Sequence, residues 1–329
     1  MKALILAAAL LAAVPGAAVA PDSEAQALEQ LNAADARLAA LLFRLTTANV
    51  ALCRDLAPAL GARFHTLAQY APAARPAARV RYGFAAPQGV ELVVPGSPAE
   101  GVVQPGDSLT ALNGMAEPAE PPADQAPAAA GPRDALRARI AALPPTAPVA
   151  LAMIRGGSPV NVQLAPRPAC RAEIDITFDA DSYSLAHGMI GITDKDLRRF
   201  GVDDLAVIVA HELAHVILRT IPRLDAAGVK TGLLIGELGR NARLRKQGEL
   251  EADRLAVALL YNAGYPADRA AAFFAGPARA MDYGLLRDRG TPSLKERVAA
   301  TREEAALIPP GTPRPYLPAM LAVRDQPMR

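Results

Sequence analysis

The chain has 329 residues, 51% of them apolar, which suits two or three packed units rather than one small domain. Its formal net charge is only +2, Trp is absent and aromatics are 4%; no basic stripe interleaved with aromatics appears, so nothing argues for nucleic acid and none is expected as a partner. The apolar share is mostly Ala, Leu and Val, with Ala and Leu favouring helix-rich packing, and the 30 prolines cluster into linkers. Residues 1–20, MKALILAAALLAAVPGAAVA, carry Lys2, then a short apolar run, then small residues. They read as a secretory signal peptide, too short for a comfortable membrane span. The expectation is an exported protein of a bacterial periplasm or cell envelope, soluble or peripheral to the membrane; an uncleaved N-terminal anchor is the alternative.

Residues 22–60 read as helical. Leu28, Leu31, Ala34, Leu38, Leu42 and Leu45 recur at steps of three and four, forming one apolar stripe. That stripe needs a partner, either another helix or a second copy of the chain. Residues 71–78, APAARPAA, read as a linker, and His65 as a structural residue. Only Cys53 and Cys170 occur. In an oxidising compartment they suit a single disulfide, worth up to about 4–5 kcal/mol for so long a loop; two buried thiols are the alternative.

From residue 80 short β-like runs alternate with Gly/Pro turns: VRYGF, GVELVV, DSLTALNG, PVALAMIR and PVNVQLAP. Among them RDALRARIAAL sets Leu136, Ile140 and Leu143 on one helical side. Residues 116–132 lack apolar bulk beyond Ala and read as a disordered, flexible insertion.

The chemistry concentrates in DDLAVIVAHELAHVILRTIP, with Asp203 or Asp204 as helix cap and Pro222 as its end. This helix is apolar nearly all round, so it is buried. Polar groups inside it must be paired or bound to a metal. His211 and His215, at i and i+4, share a face and both reach one tetrahedral Zn²⁺. Glu212 lies about 100° round the helix, beside the ion rather than on it, where it takes a proton from the attacking water. A catalytic zinc needs a third protein ligand. Glu249 offers it from GELEADRLAVALLYNAG, a helix ended by Gly264, and Asp253 on the same face orients a ligand His. Read alone, Glu249 is equally a solvated surface carboxylate.

Two resemblances follow from these motifs. Residues 172–304, with DADSYSLAHGMIGIT, AHELAHV, GELEAD and Thr291-Pro292-Ser293 with Arg297, resemble the HtpX-like and CAAX prenyl endopeptidase family of zinc peptidases. The likeness implies Glu212 as catalytic base, His211, His215 and Glu249 as ligands of one Zn²⁺ per chain, and polypeptide substrates. Thr291 stands where many members carry His. Arg297 would hydrogen-bond an oxyanion or serve as a structural ion pair. His187 would contribute beside the cleft or be a plain turn residue, with substrate extended along an edge strand near residues 186–192.

Residues 79–166, through GVELVVPGSPAEGVVQPGDSLTALNG and a late Arg155-Gly156-Gly157, resemble a bacterial protease-associated PDZ domain. By that likeness the loop holding Tyr82, Gly83 and Phe84 receives a peptide carboxylate, favouring chains with a free C-terminus; a β-rich spacer is the alternative. The expected fold is α+β: residues 21–78 an N-terminal helical segment and linker, 79–168 a PDZ-like β-rich domain, 169–308 a mainly helical zincin-type peptidase domain with a small edge sheet, and 309–329 a Pro-rich tail. The expected function is zinc-dependent hydrolysis of misfolded envelope proteins; a peptide-binding adaptor with a latent peptidase site is the rival.

Overall fold

A computed structural model describes residues 21–119, 122–179, 181–229, 239–281 and 289–328. The segment read as a signal peptide lies outside them. The leucine stripe forms α1 (Pro21–Ala48). Leu38 and Leu45 of the stripe are buried in the chain's own main core, so this part of the stripe is covered intramolecularly, while Leu31 is 39% exposed. The helix is shorter than the 22–60 pattern suggests. Asn49 turns its side-chain amide onto the carbonyls of Leu45 and Leu259, and the chain then extends as β1 (Leu56–Ala59) and β2 (Ala62–Thr66). Pro58 cannot continue a helix, and Gly61 takes φ +76° between the strands.

The segment read as a linker contains the start of a helix, α2 (Arg75–Tyr82). Then come β3 (Gln88–Val93), β4 (Ser108–Leu112), β5 (Met115–Ala116), α3 (Gly131–Ala141), β6 (Val149–Arg155) and β7 (Ser158–Leu164). The strands form an antiparallel sheet in the order β2-β3-β4-β6-β7, with β5 folded onto β4. One face packs Phe64, Val90, Leu109, Leu151 and Met153 against Leu136 of α3. The described residues 123–129 of the Pro/Ala stretch read as a flexible insertion are anchored. The buried Arg75 guanidinium donates to the carbonyls of Ala123, Asp124 and Ala126, and the Ala129 amide donates to Ala68.

Tyr82 ends α2 rather than lying in an extended loop with Gly83 and Phe84. Gly83 caps α2 and its N–H donates to the Arg79 carbonyl, while the Ala85 amide donates to Ser108 Oγ, so neither of these two amides is free for a peptide carboxylate. The Tyr82 and Phe84 rings pack on His65, whose burial lowers its pKa to about 3. The sequence pattern missed this because YGF looks alike in an extended loop and at a helix end.

The remaining elements are β8 (Arg167–Cys170), β9 (Glu173–Thr177), β10 (Tyr183–Ser184), β11 (Met189–Thr193), α4 (Asp194–Arg199), α5 (Val202–Ile217), α6 (Thr220–Ala226), α7 (Gly239–Asn262), α8 (Arg269–Ala275) and α9 (Leu294–Ala305). β8 pairs with β1 antiparallel, and Cys53 is disulfide-bonded to Cys170 at the base of that ladder, their Cα atoms 5.4 Å apart. A second sheet runs β10-β11-β9, with β11 in the centre. The main core lies between this sheet, α1, α5, α7 and α8. The Pro-rich tail wraps this body: Tyr316 exchanges two hydrogen bonds with Asn262, and Arg324 donates to Leu52.

A buried ionic cluster joins the six-stranded sheet to the second one. Arg63 of β2 contacts Asp35 of α1 at 2.9 Å, Glu91 of β3 at 3.0 Å and Asp175 of β9 at 2.9 Å. Arg133 and Arg137 of α3 close on the same Asp175 at 2.8 and 2.9 Å.

Candidate metal centre

Every residue of α5 from 205 to 214 is buried, because the helix is enclosed by the rest of the core. Its start differs in detail from the sequence reading. Gly201 is the cap, and Asp203 and Asp204 lie inside the first turn, where their charge suits the helix dipole. Pro222 falls within α6 rather than closing α5.

The i, i+4 pair does what its spacing requires. The Nε2 atoms of His211 and His215 lie 3.1 Å apart, with the rings edge to face. The packing of α7 on α5 brings Glu249 to them, Oε2 3.3 Å from His211 and Oε1 3.4 Å from His215. Ligand atoms around a tetrahedral ion with bonds of about 2.0–2.1 Å sit about 3.3–3.4 Å apart, so the three separations fit one ion. His211, His215 and Glu249 therefore form a group able to hold a metal ion.

Both imidazoles are turned the right way for it. His211 Nδ1 lies 2.9 Å from Asp253 Oδ1; a carboxylate only accepts, so Nδ1 carries the hydrogen and Nε2 is left to the metal. His215 Nδ1 lies 3.1 Å from Thr220 Oγ1. Asp253 is in turn gripped by Arg297, whose Nε and Nη2 each donate to it at 2.7 Å. The guanidinium stacks 4.3 Å above the Phe274 ring. Of the two readings of Arg297, this geometry supplies the ion pair: two of its donors position Asp253.

Burial alone would lower the His211 pKa, but hydrogen bonds to Asp253 and Glu249 outweigh it and push it up to about 10. Burial likewise opposes ionisation of Glu249, yet the two imidazoles hold its carboxyl well below the usual range. Asp253 is also lowered, against its burial, by Arg297 and His211. A metal ion entering between the imidazoles and Glu249 competes with the proton they share.

The group opens onto a cleft of about 620 Å³. Glu212, Thr291 and Arg297 line it, as do Tyr183 and Ser184 of β10 and an apolar wall including Ile208, Phe273, Phe274 and Met281. No protein-family model matches the chain, and no curated protein matches it. Glu251 faces away from the metal group and pairs with Arg223 at 2.6 Å.

Two expectations are corrected here. His187 is exposed in the turn between β10 and β11 and lines a separate cavity with Cys53 and Arg219, so it does not face the metal group. The strand at the cleft is not near residues 186–192: β11 is flanked on both sides, and β10, an edge strand among the described residues, is the one that lines the cleft. Alternation alone could not separate the two, because each is short. Thr220 was missed altogether. It lies five residues after His215, a spacing off that helical face unless the helix breaks, and Pro222 was the available hint of a break.

Proposed function

We propose that this protein is a zinc-dependent metalloendopeptidase that cleaves exported polypeptides. The observation carrying this reading is the convergence of two imidazoles and one carboxylate, from two helices, at the spacing of one tetrahedral ion, with a further carboxylate in the same cleft. A zinc ion held by this donor set polarises a carbonyl and lowers the pKa of a water. Glu212, next to His211 on α5, takes the proton of the attacking water and hands it to the leaving amine. Asp253 fixes the His211 tautomer, and Arg297 keeps that carboxylate ionised. Extended substrate adds to the edge strand β10 by backbone hydrogen bonds, which favours unfolded chains over a particular sequence. The likeness to HtpX-like peptidases in AHELAHV and GELEAD adds to this reading, and the zincin-type and PDZ-like organisation belongs to it. The N-terminal segment supports an envelope location and exported, misfolded proteins as substrates.

Metal analysis and cleavage of unfolded casein test the proposal together. Wild type is expected to bind one zinc and cleave. Glu212→Gln is expected to keep the zinc and lose cleavage by about 10²–10⁴-fold, the usual contribution of a general base. Cleavage by Glu212→Gln at the wild-type rate would remove Glu212 from the mechanism, and full zinc content in His211→Ala would remove the centre.

A further inference from the structure

Asp253 explains the orientation of His211, but nothing in the HExxH or ExxxD pattern explains that of His215. We propose that Thr220 sets the direction of the His215 ring, and that the C-terminal residues 326–328 clamp Thr220 in place; this rests on the metal reading above.

The local backbone is built for this contact. α5 stops at Ile217, and Arg219 then adopts φ 54°, ψ 42°, a left-handed conformation that non-glycine residues avoid. Had the helix continued, residue 220 would have faced about 140° away from His215. The reversal at Arg219 makes Thr220 the first residue of α6 and brings its Oγ1 to 3.1 Å from His215 Nδ1. This contact turns Nε2 toward the spot also faced by His211 Nε2 and Glu249, and when Nε2 binds the metal, Nδ1 carries the hydrogen and donates to this oxygen.

The other side of Thr220 is equally constrained. Its Cγ2 would lie 2.9 Å from a Cβ at residue 248, so α7 has bare backbone there, one residue before Glu249. Thr220 is thus wedged between the second imidazole and the helical turn carrying the carboxylate ligand. Met328 closes the same spot, its Cε 3.2 Å from that Cβ position. Met328 is itself buried with Leu224, Val229 and Leu244. Arg223 bolts the assembly together, donating through Nε to the Gln326 carbonyl at 2.9 Å and through Nη1 to Glu251 of α7 at 2.6 Å. The tail is therefore part of the outer shell of the metal centre, although it begins far from the motif in sequence.

The test is zinc affinity of the full chain, measured by competition with a chromophoric chelator and independent of any cleavage assay. Thr220→Val keeps the shape and loses the hydroxyl; it is expected to weaken zinc binding about 10–100-fold, the usual cost of losing an outer-shell partner. Thr220→Ser keeps the hydroxyl and is expected to stay within about threefold of wild type. Met328→Ala is expected to weaken binding in the wild-type background and to add little to Thr220→Val, because both side chains pack at the bare backbone of residue 248. Wild-type affinity in Thr220→Val, or equal losses in the Val and Ser variants, overturns the assignment of Thr220. Fully additive losses for Met328→Ala and Thr220→Val overturn the clamp. A wild-type protein that takes up no zinc overturns the metal reading itself, a different result from any of these.

Discussion

Asp253 has no exposed side-chain surface and is claimed by His211 Nδ1 and two donors of Arg297. In Asp253→Asn the amide leaves the Arg297 charge only the more distant Glu249 carboxylate, at 3.7 Å. It can also offer an N–H to His211, forcing the hydrogen onto the nitrogen the metal needs. The variant is expected to lose about 3–5 kcal/mol of stability, the usual cost of breaking a buried pair. It should also bind zinc about 10–100-fold more weakly. Urea unfolding and chelator competition read the two effects separately; loss of stability with unchanged affinity would leave Asp253 a purely structural residue. The sequence revealed His211, His215, Glu249 and Asp253 because each pair is related by one helical turn, a local constraint. It left Arg297 divided between two roles because its partner lies on another helix, and it offered no pattern for Thr220.

Among the elements, β9 is the junction. Asp175 is in register with Gly191 of β11, and Gly191 with Tyr183 of β10, so one cross-strand row runs from the ionic cluster to the cleft edge. Gly191 has no room for a Cβ because the Tyr183 ring lies over it, 2.6 Å from where that atom would be. The cluster sets three arginines against three carboxylates, yet burial still opposes ionisation of two of them. Burial pushes the Glu91 carboxyl up to about 7 despite Arg63, and burial also raises Asp35. A carboxyl with a raised folded-state pKa binds its proton more tightly folded than unfolded. Its stabilising contribution is complete below its ordinary value of 4.5 and disappears as pH rises through about 7. The Glu91 contribution is therefore expected to fall by up to about 3 kcal/mol between about pH 5 and pH 8, at 1.36 kcal/mol per pKa unit. Because His65 and His211 also titrate differently in the folded chain, the quantity to read is the difference between wild type and Glu91→Gln. Urea midpoints of both proteins at the two pH values decide the matter: wild type should lose more stability with rising pH than Glu91→Gln, and parallel slopes would refute it. None of this was visible in sequence: Arg63, Glu91 and Asp175 are charged residues in separate short runs, and their burial follows only from the packing of distant elements.

For the molecule as a whole, the sequence conveyed an order of segments without their nesting. The texture change at residue 80 marked a β-rich region, and the mixed α/β character was legible from the alternation of runs and from the helical spacing around the two motifs. Hidden was that β1 and β8 pair with each other, Leu56 opposite Cys170 and Ala59 opposite Arg167, so the six-stranded sheet sits in a loop closed at its base. Neither strand has an alternating pattern, and their pairing is non-local. The disulfide fastens the same base, 117 residues apart in sequence. In the chain-entropy account such a crosslink stabilises by restricting the unfolded chain, by up to about 4–5 kcal/mol. A Cys53→Ser, Cys170→Ser double variant is therefore expected to unfold at clearly lower denaturant with a larger m value, since its unfolded chain is less compact. Its zinc affinity should match wild type, because α5 and α7 carry the ligands outside the closed loop and pack on each other directly. A double variant with normal stability but weakened zinc binding would reverse this division, making the crosslink a support of the metal centre rather than of the fold.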